Sequence, residues 1–271
     1  MFRTRKVKKE GSPDYFIIAC FAFLLIFGLV MLVSASSHLG KARYGDAYYY
    51  LKHQFLFGVA PGVLLFFIGS WIYYGRYARL ALWLLLAGIA LLALVFTPLG
   101  VHIKGATRWL AFGPVIFQPA ELIKPFFIIY LASWLSHRKE RYENFKTGLL
   151  PFLAILGVVA ILLLKQPSTS TVAILVAVAS LVYFSSGARL RFVVGTIAIA
   201  GIVIALAVYM TPYRFQRIQT FFSPDADTRA AGYHITQARI AIGSGGVTGV
   251  GYGQSMSKLK LLPEPAGDSI F

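Results

Sequence analysis

Only ten side chains in this sequence carry a carboxylate, so the candidates for acid–base or metal chemistry are few. Glu10, Asp14, Glu140 and Glu143 lie among basic residues and read as solvated loop charges. Asp46 sits beside three tyrosines, Tyr48 to Tyr50, and reads as an interfacial residue. Glu121 is different. It opens an apolar run and has Lys124 at i+3 on the same helix face, where ionisable groups are costly and tend to pair facing the protein interior. Two readings stand: an ion pair that holds helices together, or part of a polar cavity. Just upstream lie Arg108, Trp109 and Gln118. A guanidinium there has the geometry to hold a phosphate bidentately, while Trp109 serves equally well as an interface anchor. In Lys165-Gln166-Pro167-Ser168, Pro167 stops a helix, and Lys165 either snorkels to the headgroups or faces a ligand. Glu264 and Asp268 stand four residues apart near the end of the chain. A carboxylate at a membrane edge can serve as a general base, although spacing alone does not single one out.

The elements that must position these groups follow from composition. The chain has 271 residues, 58% hydrophobic and only 13% charged. About 25% charged is usual for a soluble protein, so a soluble enzyme is excluded, and disorder is excluded by the same hydrophobicity. Seven apolar runs, roughly 16–35, 54–74, 80–98, 119–136, 149–165, 171–187 and 192–210, are each long enough to cross a bilayer. The expected fold class is therefore all-α, a polytopic membrane protein. The first run is too long for a signal-peptide core and lacks a small-x-small cleavage site.

Net charge is +16. With the N-terminus inside, half of the 26 basic residues fall in inner segments. Short outer segments would hold only Lys41, Arg43, Lys52, Lys104, Arg108 and Lys165, so the positive-inside rule favours this orientation. The basic balance thus reads as topology and not as nucleic-acid binding. Residues 1–15 become a cytoplasmic tail, 16–210 the transmembrane region, and 211–271 a long extracytoplasmic loop. Within that loop Thr228 to Ile242 forms an amphipathic pattern, with Ala231, Ile235, Ala238 and Ile242 on one face. Glycines at 243, 245, 246, 249, 251 and 253 make a flexible outer turn. No P-loop spacing occurs, and no strand precedes a G-x-G-x-x-G. The single Cys20 forms no intrachain disulfide, and no zinc cluster exists.

Taken together, the motifs resemble the SEDS family, the FtsW, RodA and SpoVE proteins. Residues 28–37, GLVMLVSASS, are similar to the family's first span. Gly105-Ala106-Thr107-Arg108-Trp109, Gly113, then Gln118-Pro119-Ala120-Glu121 and Lys124 are similar to its G-x-x-R-W…G…Q-P-S/A-E-x-x-K. The long loop carries Tyr213-Arg214, Arg217, Pro224, Gly232-Tyr233, Gln237, the Gly243 to Gly246 cluster and Lys258. Leu262-Pro263-Glu264 with Asp268, Ile270 and Phe271 is similar to the family's L-P-E-x-x-x-D-x-I-F. The resemblance covers nearly the whole chain, and the first span, Tyr48 to Gln54 and residues 145–167 lean toward the FtsW branch. Two departures stand out. The family's Q-P-D-x-G-T is here Gln166-Pro167-Ser168-Thr169-Ser170-Thr171, so a serine replaces the aspartate. The family also has about ten spans, so the chain is expected to be truncated where the eighth begins.

The resemblance implies an inverting peptidoglycan glycosyltransferase of the plasma membrane. It would polymerise lipid II on the outer face, with a division role, and work with a class B penicillin-binding protein and other divisome proteins. Asp268 is implied as the base. Arg108, Gln118, Glu121, Lys124, Gln166, Lys258 and Glu264 are implied in substrate binding, with a divalent cation, Mg or Mn, whose ligands are not identified. A lipid II flippase and a non-catalytic scaffold recruiting a transpeptidase are the alternatives. An outer loop aspartate fits the polymerase and is of no particular use to a carrier.

Overall fold

The computed structural model describes residues 13–103, 105–113, 115–136, 144–212, 215, 231–246 and 248–254. Helices are α1 (Tyr15–Tyr44), α2 (Tyr49–Trp71), α3 (Tyr74–Leu94), α4 (Pro119–Ser136), α5 (Phe145–Lys165), α6 (Thr169–Ser185), α7 (Leu190–Tyr209) and α8 (Ala231–Gly245). Each of the seven apolar runs corresponds to one of the first seven helices. By length and composition α1, α2, α3, α5 and α7 can cross a membrane. Helix α6 has 17 residues, and α4 is made less apolar by Glu121 and Lys124. The expected helical, multi-pass membrane architecture holds, with one addition: the segment between α3 and α4 is a three-stranded antiparallel sheet, β1 (Gly100–Ile103), β2 (Ala106–Phe112) and β3 (Val115–Phe117), in order β1-β2-β3.

The described residues form two compact units, one from the chain up to Ile68 with residues from Arg217 on, the other Gly69–Gln216. In the first, α1 starts on Asp14, whose Oδ1 accepts from the N–H groups of Phe16 (3.1 Å) and Ile17 (3.2 Å). Asp14 is thus an N-cap, which satisfies donors the helix leaves open, and not merely a solvated charge. The helix outlasts its apolar run and stops at Gly45, whose φ of 71° is the left-handed cap a side chain resists. Asp46 then accepts from Lys52 Nζ (2.6 Å) and the Tyr48 N–H (2.8 Å), and these bonds hold its carboxyl below its ordinary range. A single widened turn, Phe55–Val59, lies within α2. Helix α8 covers 231–242 of the expected Thr228–Ile242 pattern and runs on through Gly243 and Gly245, which therefore belong to the helix and not to the outer turn. Tyr252 Oη and Gly253 N–H reach the Val30 carbonyl and Ser34 Oγ of α1, both at 3.2 Å.

In the second unit, buried positions recur on one stripe of each helix: Ile123, Phe127, Leu131 and Leu135 on α4; Phe152, Leu156, Val159 and Leu163 on α5. They meet Leu85 and Leu92 of α3, Val172, Leu175 and Tyr183 of α6, and Phe192 and Val193 of α7. Phe152 and Tyr183 stack with ring centres 4.6 Å apart. Opposite faces are apolar and exposed, as at Ile161, Leu181 and Val194, the pattern of helices surrounded by lipid. With no hydrophobic drive between helices in lipid, packing decides association. Gly88 lets α3 and α4 approach closely, since a Cβ there would come within 2.5 Å of Ile123 Cδ1.

Candidate functional site

The sheet carries one side chain out of register. Val101 faces Trp109 and His102 faces Thr107, so Arg108 is an extra residue on β2, a bulge. Bulges re-aim side chains and terminate regular pairing. The redirected guanidinium donates from Nε to the Gln166 carbonyl (2.8 Å) and from Nη2 to the Pro167 carbonyl (2.6 Å). Those carbonyls lie in the turn directly after α5, beside a helix end that carries partial negative charge. The forked donor bridges two successive carbonyls of this turn.

Gln166 completes the junction from the other side. Its Nε2 donates to the Leu92 carbonyl in the last turn of α3 (2.9 Å). The residue is 1% exposed, and its Oε1 finds no hydrogen-bond partner among the described residues. A side chain this buried ties the end of α5 to the end of α3. Ser168, where the family pattern has aspartate, is buried, and its Oγ donates to Thr171 Oγ1 (2.7 Å) at the start of α6. The serine hydroxyl therefore makes a local side-chain bond and does not cap the backbone N–H groups of α6.

Gln118 immediately precedes α4, its carbonyl accepting from the Glu121 N–H (3.0 Å), with Pro119 at the first helical position. Glu121 Oε2 and Lys124 Nζ are 2.7 Å apart, as the i,i+3 spacing required. The pair is not sealed away: the Glu121 side chain is 61% exposed and that of Lys124 27%. An exposed helix pair of this kind contributes at most about 0.5 kcal/mol. Glu121→Gln is therefore expected to leave the melting temperature in detergent unchanged. Loss of activity without loss of stability would then assign the pair to a ligand-facing role, whereas a clear drop in melting temperature would make it a structural strut.

Thus the structure joins Arg108 to Gln166 and Glu121 to Lys124. Lys258, Glu264 and Asp268 lie outside the described residues. No sequence pattern points to Leu92, Thr171 or the bulge; a glutamine and a proline directly after a helix are the available signal for the turn. Among the described residues no three His, Cys, Asp or Glu side chains cluster as metal ligands.

Comparison with known proteins identifies the family. The family model for FtsW, RodA and SpoVE, described as "Cell cycle protein", matches residues 14–271. A probable peptidoglycan glycosyltransferase FtsW of Nitrosococcus halophilus is 37% identical over the whole chain and 70% of its own length. Another, of Allochromatium vinosum, is 34% identical over 98% of this chain and 67% of its own. A solved chain from work on the structural coordination of polymerization and crosslinking by a peptidoglycan synthase complex superposes with TM-score 0.59 at 31% identity, covering 82% of this chain and 66% of that one. The chain thus spans about two thirds of the length of these relatives. A match of this extent, carried by ordered motifs and by the same helical architecture, establishes that the chain belongs to the FtsW/RodA/SpoVE family.

Proposed function

We propose that the protein containing this chain is a peptidoglycan glycosyltransferase of cell division that polymerises lipid II on the outer face of the bacterial plasma membrane. The observation that carries this reading is the continuous match to relatives named probable peptidoglycan glycosyltransferase FtsW, at 33–37% identity over nearly the whole chain. The chemistry asks little of the protein. A GlcNAc 4-hydroxyl attacks the anomeric carbon of the donor sugar, a new C–O bond forms with inversion, and the bond to pyrophosphate breaks. Undecaprenyl pyrophosphate leaves without needing a proton, so one base suffices, unlike the two carboxylates of glycosidases. Asp268 takes the hydroxyl proton in this proposal. Lys124 and Lys258 supply cationic groups for the leaving pyrophosphate, Gln118 and Glu264 shape the binding surface, and Arg108 adds its charge while its fork holds carbonyls.

A divalent cation, Mg or Mn, belongs to the same proposal through the pyrophosphate charge it offsets. The three carboxylates among the described residues do not fit it: Asp14 is a cap, and Asp46 and Glu121 are each engaged by a lysine. The proposed partners are a class B penicillin-binding protein, with its transpeptidase activity, and other divisome proteins. Full-length protein reconstituted with that partner should convert lipid II into glycan strands; no strands from a complex whose transpeptidase is active would overturn the reading. The proposed topology, with residues 1–15 cytoplasmic and 211–271 outside, makes a separate prediction. A cysteine introduced at Arg138 in a Cys20→Ala background should resist a membrane-impermeant maleimide in intact cells, and outer-side labelling there would invert the assignment.

A further inference from the structure

The bulge at Arg108 spends a charged, forked donor on two neutral carbonyls 58 and 59 residues away in sequence. The strand that carries it has no pairing need for the extra residue. The carbonyls it holds belong to the turn between α5 and α6, and Gln166, the long side chain of that turn, is buried and committed to α3. Arginine satisfies two adjacent acceptors through rigid, parallel N–H groups, which a lysine cannot reproduce. We infer that Arg108 is a positioning residue: it brackets the 166–168 turn against β2 and so fixes the outer ends of α5 and α6, and it does not grip the pyrophosphate with its fork. The effect on turnover rests on the polymerase reading; the effect on the turn does not.

Two readouts separate this role from phosphate binding. Ser168 is 4% exposed, so a Ser168→Cys probe in a Cys20→Ala background should be protected from maleimide in the purified full-length protein. Arg108→Ala should open the turn and raise the labelling rate about 10-fold or more, with no substrate present. In polymerisation assays, carrying Ser168 intact, Arg108→Ala should lower kcat by about 10-fold or more while the lipid II KM stays within about twofold, as expected when geometry rather than binding is lost. Arg108→Gln supplies the decisive comparison, because its Nε2 sits the same number of bonds from Cα as the arginine Nε. It keeps a donor for the Gln166 carbonyl without charge, and should recover part of both the protection and the turnover. A phosphate ligand would behave oppositely: KM would rise, Lys would rescue better than Gln, and the Ser168→Cys probe would stay protected in Arg108→Ala. Either that pattern or unchanged labelling with unchanged kcat overturns the inference. If labelling responds as stated and no variant or parent polymerises lipid II, the bracket stands and the polymerase reading fails.

Discussion

Asp268→Ala is expected to reduce lipid II polymerisation by about 10²–10⁴-fold at saturating substrate, the range over which a positioned general base acts. The acceptor hydroxyl must lose its proton as the glycosidic bond forms, whereas the pyrophosphate departs as a stable anion. A single carboxylate on the acceptor side is therefore sufficient, and Asp268 is the one that matches the family's loop aspartate. The comparison should be made on full-length protein with its transpeptidase partner, following glycan strands over time. Asp268→Asn keeps the shape and removes the basicity, so it should fall as far as alanine. Glu264→Ala, which alters the loop but not the proposed base, should fall less. Strands formed by Asp268→Ala at the unaltered rate would remove Asp268 from the mechanism, and a fall for Glu264→Ala equal to that of Asp268→Ala would make the loop's shape, not its base, the sensitive quantity.

The helices were readable because bilayer crossing imposes a length, and apolar runs report length directly. Run 119–136 coincides with α4 (Pro119–Ser136). Ends were less readable where a cap and not hydrophobicity stops the helix: α1 continues through Ser36, His38 and Lys41 to reach Gly45, and α2 begins at Tyr49, ahead of its apolar run. The sheet leaves no such mark in the sequence. Its strands have four, seven and three residues, and the one long enough to show alternation has its period broken by the extra residue at Arg108. The Glu121–Lys124 pair was legible because it is local, with both partners on one helix turn. The partners of Arg108 and Gln166 were not, since they lie 58 to 74 residues away and are backbone carbonyls, which every residue possesses and no pattern advertises. Motif matching places these two residues among the candidates for substrate binding; geometry adds that they tie the turn after α5 to β2 and to α3.

Gly100→Ala is expected to be among the most damaging single methyl additions in the second unit, and Gly88→Ala is its natural control. Both glycines admit no Cβ without a close contact. At Gly88 the obstacle is Ile123 Cδ1, the far end of a flexible side chain, at 2.5 Å. A rotamer change relieves it. At Gly100 the obstacle is the Val95 carbonyl oxygen, closer still, with its carbon at 3.0 Å and Thr107 Cγ2 at 2.9 Å. Two of these atoms are backbone at the end of α3, where Gly100 N–H also donates to the Thr97 carbonyl (2.9 Å). Relief requires the strand itself to move. Overpacking typically costs about 1–3 kcal/mol, and a backbone obstacle puts Gly100→Ala at the upper end, a side-chain tip Gly88→Ala at the lower. The displaced strand is β1, whose pairing with β2 sets the bulge. Gly100→Ala should therefore also expose the Ser168→Cys probe to maleimide, while Gly88→Ala leaves it protected. Thermal unfolding in detergent and the labelling rate measure the two consequences separately. Equal melting temperatures for the two variants would mean that the α3–β1 corner yields easily, and the sheet would then not be the rigid platform that holds Arg108.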